Sequence, residues 1–461
     1  MSETDKLNKL QRAALAMVLL NAFTTPLMLS AVNVALPAIA DDLGLDAVML
    51  SWVPMAYLMA SAMFVLVFGR LADMFGRKRI FLIGTGSVIL TSLLAAFSFN
   101  GEVLVLARFL QGTSAAMLYA TQVAIVSSVF PPAKRGHAIG LTVSTIYLGL
   151  TGGPLIGGFL IDEFGWRASF VFHIPLAFIV LLTGLLMVPG DWSAEERGSF
   201  DVRGAVVYSL SILLICIGVS TLPAIHSYVL LVAGVAGIGL FFVMVRRIHH
   251  PIFDVSLFFT NRVFTLSCLA SYIIYTAIFA NVVLISLYLQ YLKGVSASIA
   301  GVIMMTQPLT MALVSPFAGR ISDSIEPRVI ATGGMLLTGI GLLLLAQLNG
   351  QSEMYYVIGA LVITGLGFSL FSSPNANAIM GAVEKRYYGS ATGSLATMRI
   401  LGQMSSMALV TLVFALIIGQ VEIQPSNLDD LGQAIRLVFT IAALLCVPGF
   451  IFSLVRGKMH R

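Results

Sequence analysis

Arg108 stands in the run Leu104-Val105-Leu106-Ala107-Arg108-Phe109-Leu110, which is otherwise uncharged. Burying a cation in such a run is costly. The residue therefore either works inside an apolar medium or snorkels to an interface, here towards Glu102. His173 also lies in an apolar stretch; it is either a group that titrates near neutrality or a packing histidine. Asp162 and Glu163 are adjacent carboxylates. Mutual repulsion can hold a proton on one of them, unless both sit in a solvated loop. Cys216, Cys268 and Cys446 all fall in apolar segments without metal-like spacing, and read as buried small residues rather than ligands or disulfide halves. No cluster of His, Asp or Glu marks a metal centre or an enzyme site, so neither catalysis nor a cofactor is expected. The chemistry on offer is the movement of protons and charge through a low-dielectric interior.

That interior is provided by the rest of the chain. Of its 461 residues 58% are hydrophobic and 10% charged, against about 25% charged in a soluble domain. Lipid is the expected solvent, and a span of it takes roughly 20 apolar residues. The pattern predicts fourteen helices, near 13–37, 48–69, 79–98, 103–127, 136–160, 167–188, 204–222, 227–246, 264–291, 297–319, 328–348, 354–380, 389–418 and 433–455. The least distinct are the pair within 204–246, divided only around Pro223 and His226. No cleavable leader is expected, since Lys6, Lys9 and Arg12 run into the first span without a small-residue cleavage site. An even number of spans puts both termini on one side. Arg70, Arg77, Lys78, Arg79, Lys134, Arg135, Arg246, Arg247, Arg262, Arg320, Arg328, Lys385 and Arg386 fall in the loops of that side, and Asp41, Asp42, Asp46, Glu353, Glu422, Asp429 and Asp430 in the others. The positive-inside rule makes the basic side cytoplasmic. The net charge of +5 is explained by this distribution, and no nucleic-acid partner is expected.

The loop Gly69-Arg70-Leu71-Ala72-Asp73 after span 2 is echoed by Gly319-Arg320-Ile321-Ser322-Asp323 after span 10. An echo eight helices apart predicts two six-helix halves separated by an inserted pair. The expected units are 1–188, then a linker with two extra spans over 189–263, then 264–461.

Four segments carry a resemblance to a known family. Gly69 to Arg79 includes Gly69, Asp73, Gly76, Arg77 and Arg79, where glycines permit a tight turn and Asp73 can pair with basic neighbours or a helix N-terminus. Arg108, Gln111 and Gly112 form the second. In span 5, Gly140, Gly149, Gly153, Pro154, Gly157 and Gly158 make a smooth face for a neighbouring helix. Span 1 ends Val32-Asn33-Val34-Ala35-Leu36-Pro37. Together these resemble the major facilitator superfamily and its fourteen-helix drug:proton antiporter branch. The resemblance implies an all-α exporter of the bacterial cytoplasmic (inner) membrane, working by alternating access. The first loop would be a conformational latch, the arginine would be linked to proton movement, and the glycine face would be an antiporter motif. Protons, membrane lipids and an amphiphilic small molecule are the implied partners, and a monomer is expected.

One departure concerns chemistry. Aligned on Pro37, the aspartate of the branch's first helix falls at Met28, and no Asp or Glu lies near the middle of any predicted span. A drug-binding carboxylate that trades drug for proton is therefore missing, and a dicationic substrate would meet no counter-charge. The expected substrate is neutral, zwitterionic, anionic or a monocation held by aromatic faces. In this fold spans 1, 4, 9 and 12 line the cavity. They offer Asn21, Thr25, Met28 and Asn33; Gln111, Met117, Tyr119 and Gln122; Tyr272, Tyr275 and Asn281; and Phe368, Phe371, Asn375 and Asn377. The competing role for Asn33, Asn375 and Asn377 is hydrogen bonding between helices. A proton-independent facilitator, carrying a metabolite or lipid, is the alternative to an exporter.

Overall fold

The computed structural model describes residues 8–193, 200–246, 248, 252, 255–384 and 388–457. The expected fourteen apolar helices are all present. They are α1 (Lys9–Val34), α2 (Ala47–Phe75), α3 (Arg77–Ala96), α4 (Gly101–Val129), α5 (Ala138–Phe164), α6 (Ala168–Met187), α7 (Val202–Ser220) and α8 (Ile225–Val245), then α9 (Arg262–Leu292), α10 (Ala297–Ser322), α11 (Pro327–Leu345), α12 (Met354–Gly381), α13 (Ser390–Ile417) and α14 (Pro425–Val455). Polar residues in short loops set where several of them start. Asp46 accepts from Met49 N at 2.8 Å, Asn100 from Val103 N at 2.9 Å, Asp201 from Gly204 N at 2.8 Å and Asn261 from Phe264 N at 3.0 Å. The indistinct pair within 204–246 is two full helices, α7 and α8.

Packing repeats with an offset of eight helices. The contacts of α1 with α5 and α6, and of α4 with α2 and α3, recur as those of α9 with α13 and α14, and of α12 with α10 and α11. The molecule is thus two six-helix bundles plus an extra pair. Between the bundles α2 lies along α13 and α5 along α10. The extra α7 rests on both α2 and α13. It is fastened to the former by Tyr208 Oη donating to Ala62 O at 3.0 Å and Ser209 Oγ to Met63 O at 3.0 Å.

Hydrogen bonds between the bundles gather on the side away from the termini. Asp162 Oδ2 accepts from Ser298 N at 2.9 Å, Gln290 Nε2 donates to Val34 O at 3.0 Å, and Tyr291 Oη donates to Asp41 Oδ1 at 3.0 Å. Ala47 N donates to Val421 O at 3.0 Å, within an antiparallel bridge of Asp46 with Glu422. Gln290 and Tyr291 belong to a π-helical turn, Tyr288–Leu292, that ends α9.

Candidate functional site

Arg108 is fully buried, so it does not snorkel. The burial follows from the close approach of α4 and α2: a Cβ on Gly112 would lie 2.1 Å from the Tyr57 carbonyl oxygen. The guanidinium is held by Nε donating to Val53 O at 3.1 Å and by Nη1 donating to Gln111 Oε1. Tyr57 lies beneath it, 4.5 Å from Cζ to ring centroid, and Phe170 is 5.9 Å away. The polar chain continues from Gln111 Nε2 to Ser92 Oγ at 2.7 Å, and from Ser92 to His173 Nε2 at 3.1 Å. Thus the two groups singled out for charge movement, Arg108 and His173, share one hydrogen-bonded chain across α4, α3 and α6. Arg108 Nη2 and His173 Nδ1 are buried without a partner among the described residues. Among the described residues no carboxylate forms an ion pair with Arg108.

Met28 bears directly on that absence. Its Sδ accepts from Gln111 Nε2 at 3.0 Å. The position at which the branch carries an aspartate therefore faces the Arg108 chain, and here it presents a thioether. A small cavity beside it is lined by Asn21, Thr24, Thr25, Met28, Thr85 and His173. Asn21 Nδ2 donates to Gln122 Oε1 at 3.4 Å and Thr25 Oγ1 to Asn21 Oδ1 at 3.3 Å, a polar knot between α1 and α4.

A second group spans the seam. Tyr119 Oη lies 3.0 Å from Tyr57 Oη, and the Arg399 guanidinium of α13 is 5.9 Å from the Tyr119 ring centroid. Tyr147 Oη approaches Ser372 Oγ of the other bundle at 3.5 Å, and Tyr275 meets Phe368 edge-on at 5.4 Å. Asn281 is buried with neither amide atom partnered, and Asn33 with its Oδ1 unpartnered, among the described residues. The remaining expected lining residues are engaged within their bundles or packed. Tyr272 bonds Ser405 at 2.9 Å, Met117 packs at Gly84, and Phe371 is buried against α11. Asn377 donates to Ser322 Oγ at 2.6 Å. Asn375 donates to Ser271 Oγ at 2.8 Å and to Ser267 O at 3.0 Å, and accepts from the buried Arg456 at 2.5 Å. These last two amides act as glue between helices, one of the two roles open to them.

The segment expected as a loop is helical except at Gly76: Asp73 in the last turn of α2 pairs with Arg77 at the start of α3 at 2.8 Å, and Arg77 reaches Ser128 Oγ at 2.7 Å. Gly76 has φ +111°, where a side chain would be strained. A contribution the sequence did not signal comes from Asp191 after the first bundle, which caps α3 by accepting from Lys78 N at 2.8 Å and Arg79 N at 3.1 Å. Gly69 lies beside Ala120 of α4.

The glycine face divides its work between two neighbours. A Cβ on Gly149, Gly153 or Gly157 would come within 2.4, 2.6 and 2.7 Å of α1, at Phe23, Ser30 and Ala31. On Gly158 it would lie 2.3 Å from Ala297 O of α10, while Gly301 of α10 comes equally close to Pro154 O at 2.1 Å. Gly140 faces open space. Asp162, one turn past Gly158, holds the start of α10, so it is a tie between bundles and no member of Arg108's hydrogen-bonded chain, and Glu163 beside it is exposed. Sequence reasoning passed over Gly301 and Ser92, because isolated small residues in apolar helices carry no pattern of their own.

Two repeated bundles meeting at a polar, aromatic seam inside a membrane define a transporter rather than an enzyme. The chain belongs to the Major Facilitator Superfamily, whose family model matches residues 18–279 and 266–459. It is similar to the riboflavin transporter RibZ of Clostridioides difficile, with 30% identity over 95% of this chain and 96% of that protein. Multidrug resistance protein Stp of Mycobacterium tuberculosis is also 30% identical, over 83% of this chain and 72% of Stp. A crystal structure of the peptide transporter POT in complex with sulfate shares the fold at TM-score 0.68 and 15% identity, covering 96% of this chain and 98% of POT. The spans and the bacterial transporter relatives make this a multi-pass inner-membrane protein.

Proposed function

We propose that the protein is a proton-coupled exporter of amphiphilic small molecules, working by alternating access of units 1–188 and 264–461, with 189–263 as linker and inserted pair. The basic loops and both termini are cytoplasmic in this reading. The observation that carries it is the one-sided seal: the halves are joined away from the termini, at Gly158, Gly301, Asp162 and Gln290. Such a molecule takes its cargo from the terminal side. The latch of Gly69, Asp73, Gly76, Arg77 and Arg79 holds α2 to α4 as the halves part. Arg108 and His173 are the coupling groups, and cargo meets Tyr119, Tyr275, Asn281 and Phe368. The drug-resistance protein among the relatives supports export.

A facilitator of the same fold is favoured by one observation, Met28 in the carboxylate's place, and by the riboflavin transporter among the relatives. Everted vesicles loaded with a pH-sensitive dye separate the two. After energisation, neutral, anionic, monocationic and dicationic compounds are added in turn, with vesicles lacking the protein as reference. A proton leak evoked by one class, and abolished by Arg108→Gln, is the expected result. Silence across the panel while labelled compound still crosses would establish the facilitator.

A further inference from the structure

Arg399 lies mid-helix in α13, half-buried at the seam. Its Nε is buried and makes no hydrogen bond among the described residues, and no carboxylate there pairs with it. A half-buried guanidinium whose Nε lacks an acceptor gains from any molecule that supplies one. What faces it is aromatic. Tyr119 stands 5.9 Å away, and its hydroxyl lies 3.0 Å from that of Tyr57. In the opposite bundle Tyr275 stacks edge-on with Phe368, and Ser372 meets Tyr147 Oη at 3.5 Å. Behind Tyr57, Arg108 adds a second cation that has no carboxylate partner among the described residues, 4.5 Å from that ring. Two guanidiniums, one from each half, thus flank an aromatic group with no acid between them. Aromatic rings accept a planar ring by offset or edge contact. A guanidinium fork matches a carboxylate's two oxygens.

We propose that Arg399 is the counter-charge for an anionic, planar aromatic substrate bound between the two halves, opposite in sign to a lipophilic cation. The proposal rests on the chain being a transporter of amphiphiles, but it concerns binding alone and needs no proton coupling.

The test uses the full-length protein in nanodiscs, with empty nanodiscs subtracted, and three probes of one shape: 2-naphthoate, 2-naphthamide and 2-naphthylmethylammonium. Naphthoate is expected to bind about tenfold more tightly than the amide, and the ammonium compound most weakly. Arg399→Gln brings naphthoate down to the amide's affinity and leaves the amide within about threefold. Arg399→Lys restores part of the preference, since it keeps the charge and loses the fork. Equal binding of acid and amide by the unaltered protein, or preference for the ammonium probe, overturns the proposal even if Arg399→Gln fails to fold. So does an acid-to-amide ratio that survives in a folded Arg399→Gln protein. Absence of a proton leak in the vesicle experiment, with the naphthoate preference intact, would remove coupled export and leave this assignment standing.

Discussion

Arg108 is accommodated without an acid because every neighbour offers a partial negative charge: the Val53 carbonyl, the Gln111 amide oxygen and the face of Tyr57. The close approach at Gly112 keeps that arrangement dry. Gly112→Ala is expected to destabilise the protein by about 1–3 kcal/mol through overpacking against Tyr57, read as a lowered melting temperature in detergent. Outside the spans, the Asp42 carboxylate is held below the usual carboxylate range, first by the Trp166 indole N–H at 2.9 Å and then by Arg167 at 2.8 Å. Because its folded value is depressed, this stabilisation is complete above about pH 4 and is lost only as pH falls through the folded value. Asp42→Asn should therefore lower the melting temperature slightly at pH 7, with the difference shrinking below about pH 4. Arg108 was legible as a lone charge in an apolar run. His173 was legible in the same way, but its link to Arg108 through Ser92 was not, because the three come from helices whose mutual rotation no periodicity records.

At the level of helices, composition alone predicted all fourteen spans, since each needs an uninterrupted apolar run. What composition hides is the break. The expected continuous helix over 264–291 is divided after Ile278 and ends in a π turn at Tyr288–Leu292, which aims Gln290 and Tyr291 at the other bundle. The glycine face of α5 was legible as a small-residue surface. Its partition between α1 and α10 was not, because successive glycines on one helix point to different neighbours. That partition makes a distinguishing prediction. Gly158→Leu, where a side chain would strike Ala297 of α10, should abolish transport while leaving the first bundle folded. Gly140→Ala, with open space around it, should transport normally. Equal transport by both variants in vesicles would show that the approach to α10 is dispensable.

For the whole molecule, the five-residue echo, which falls in the last turns of α2 and α10, was a faithful sign of the repeat, because the packing recurs with the same offset of eight helices. The side on which the halves join was not legible, since the groups concerned are backbone atoms, the side chains of Gln290 and Tyr291 and the carboxylates of Asp41 and Asp162, none of which forms a pattern in the sequence. The bridge between Asp46 and Glu422 gives a direct check. Paired residues in an antiparallel bridge lie about 4.5–5.5 Å apart at Cα, within disulfide reach. The double variant Asp46→Cys, Glu422→Cys should cross-link on mild oxidation, stop transport, and recover when reduced. The native Cys216, Cys268 and Cys446 are buried and should not interfere.

The berth of α7 has one more consequence. It covers the groove where α2 meets α13, and two of its hydroxyls, those of Tyr208 and Ser209, tie it to carbonyls of α2, so it is fastened to the first bundle. The opposite groove, where α5 meets α10, bears no such cover: Leu155, Ile156 and Phe159 on one bank and Ile299 and Val302 on the other face outward. The two flanks along which the bundles meet are therefore unequal, one overlaid by α7 and the other presenting apolar side chains to the bilayer.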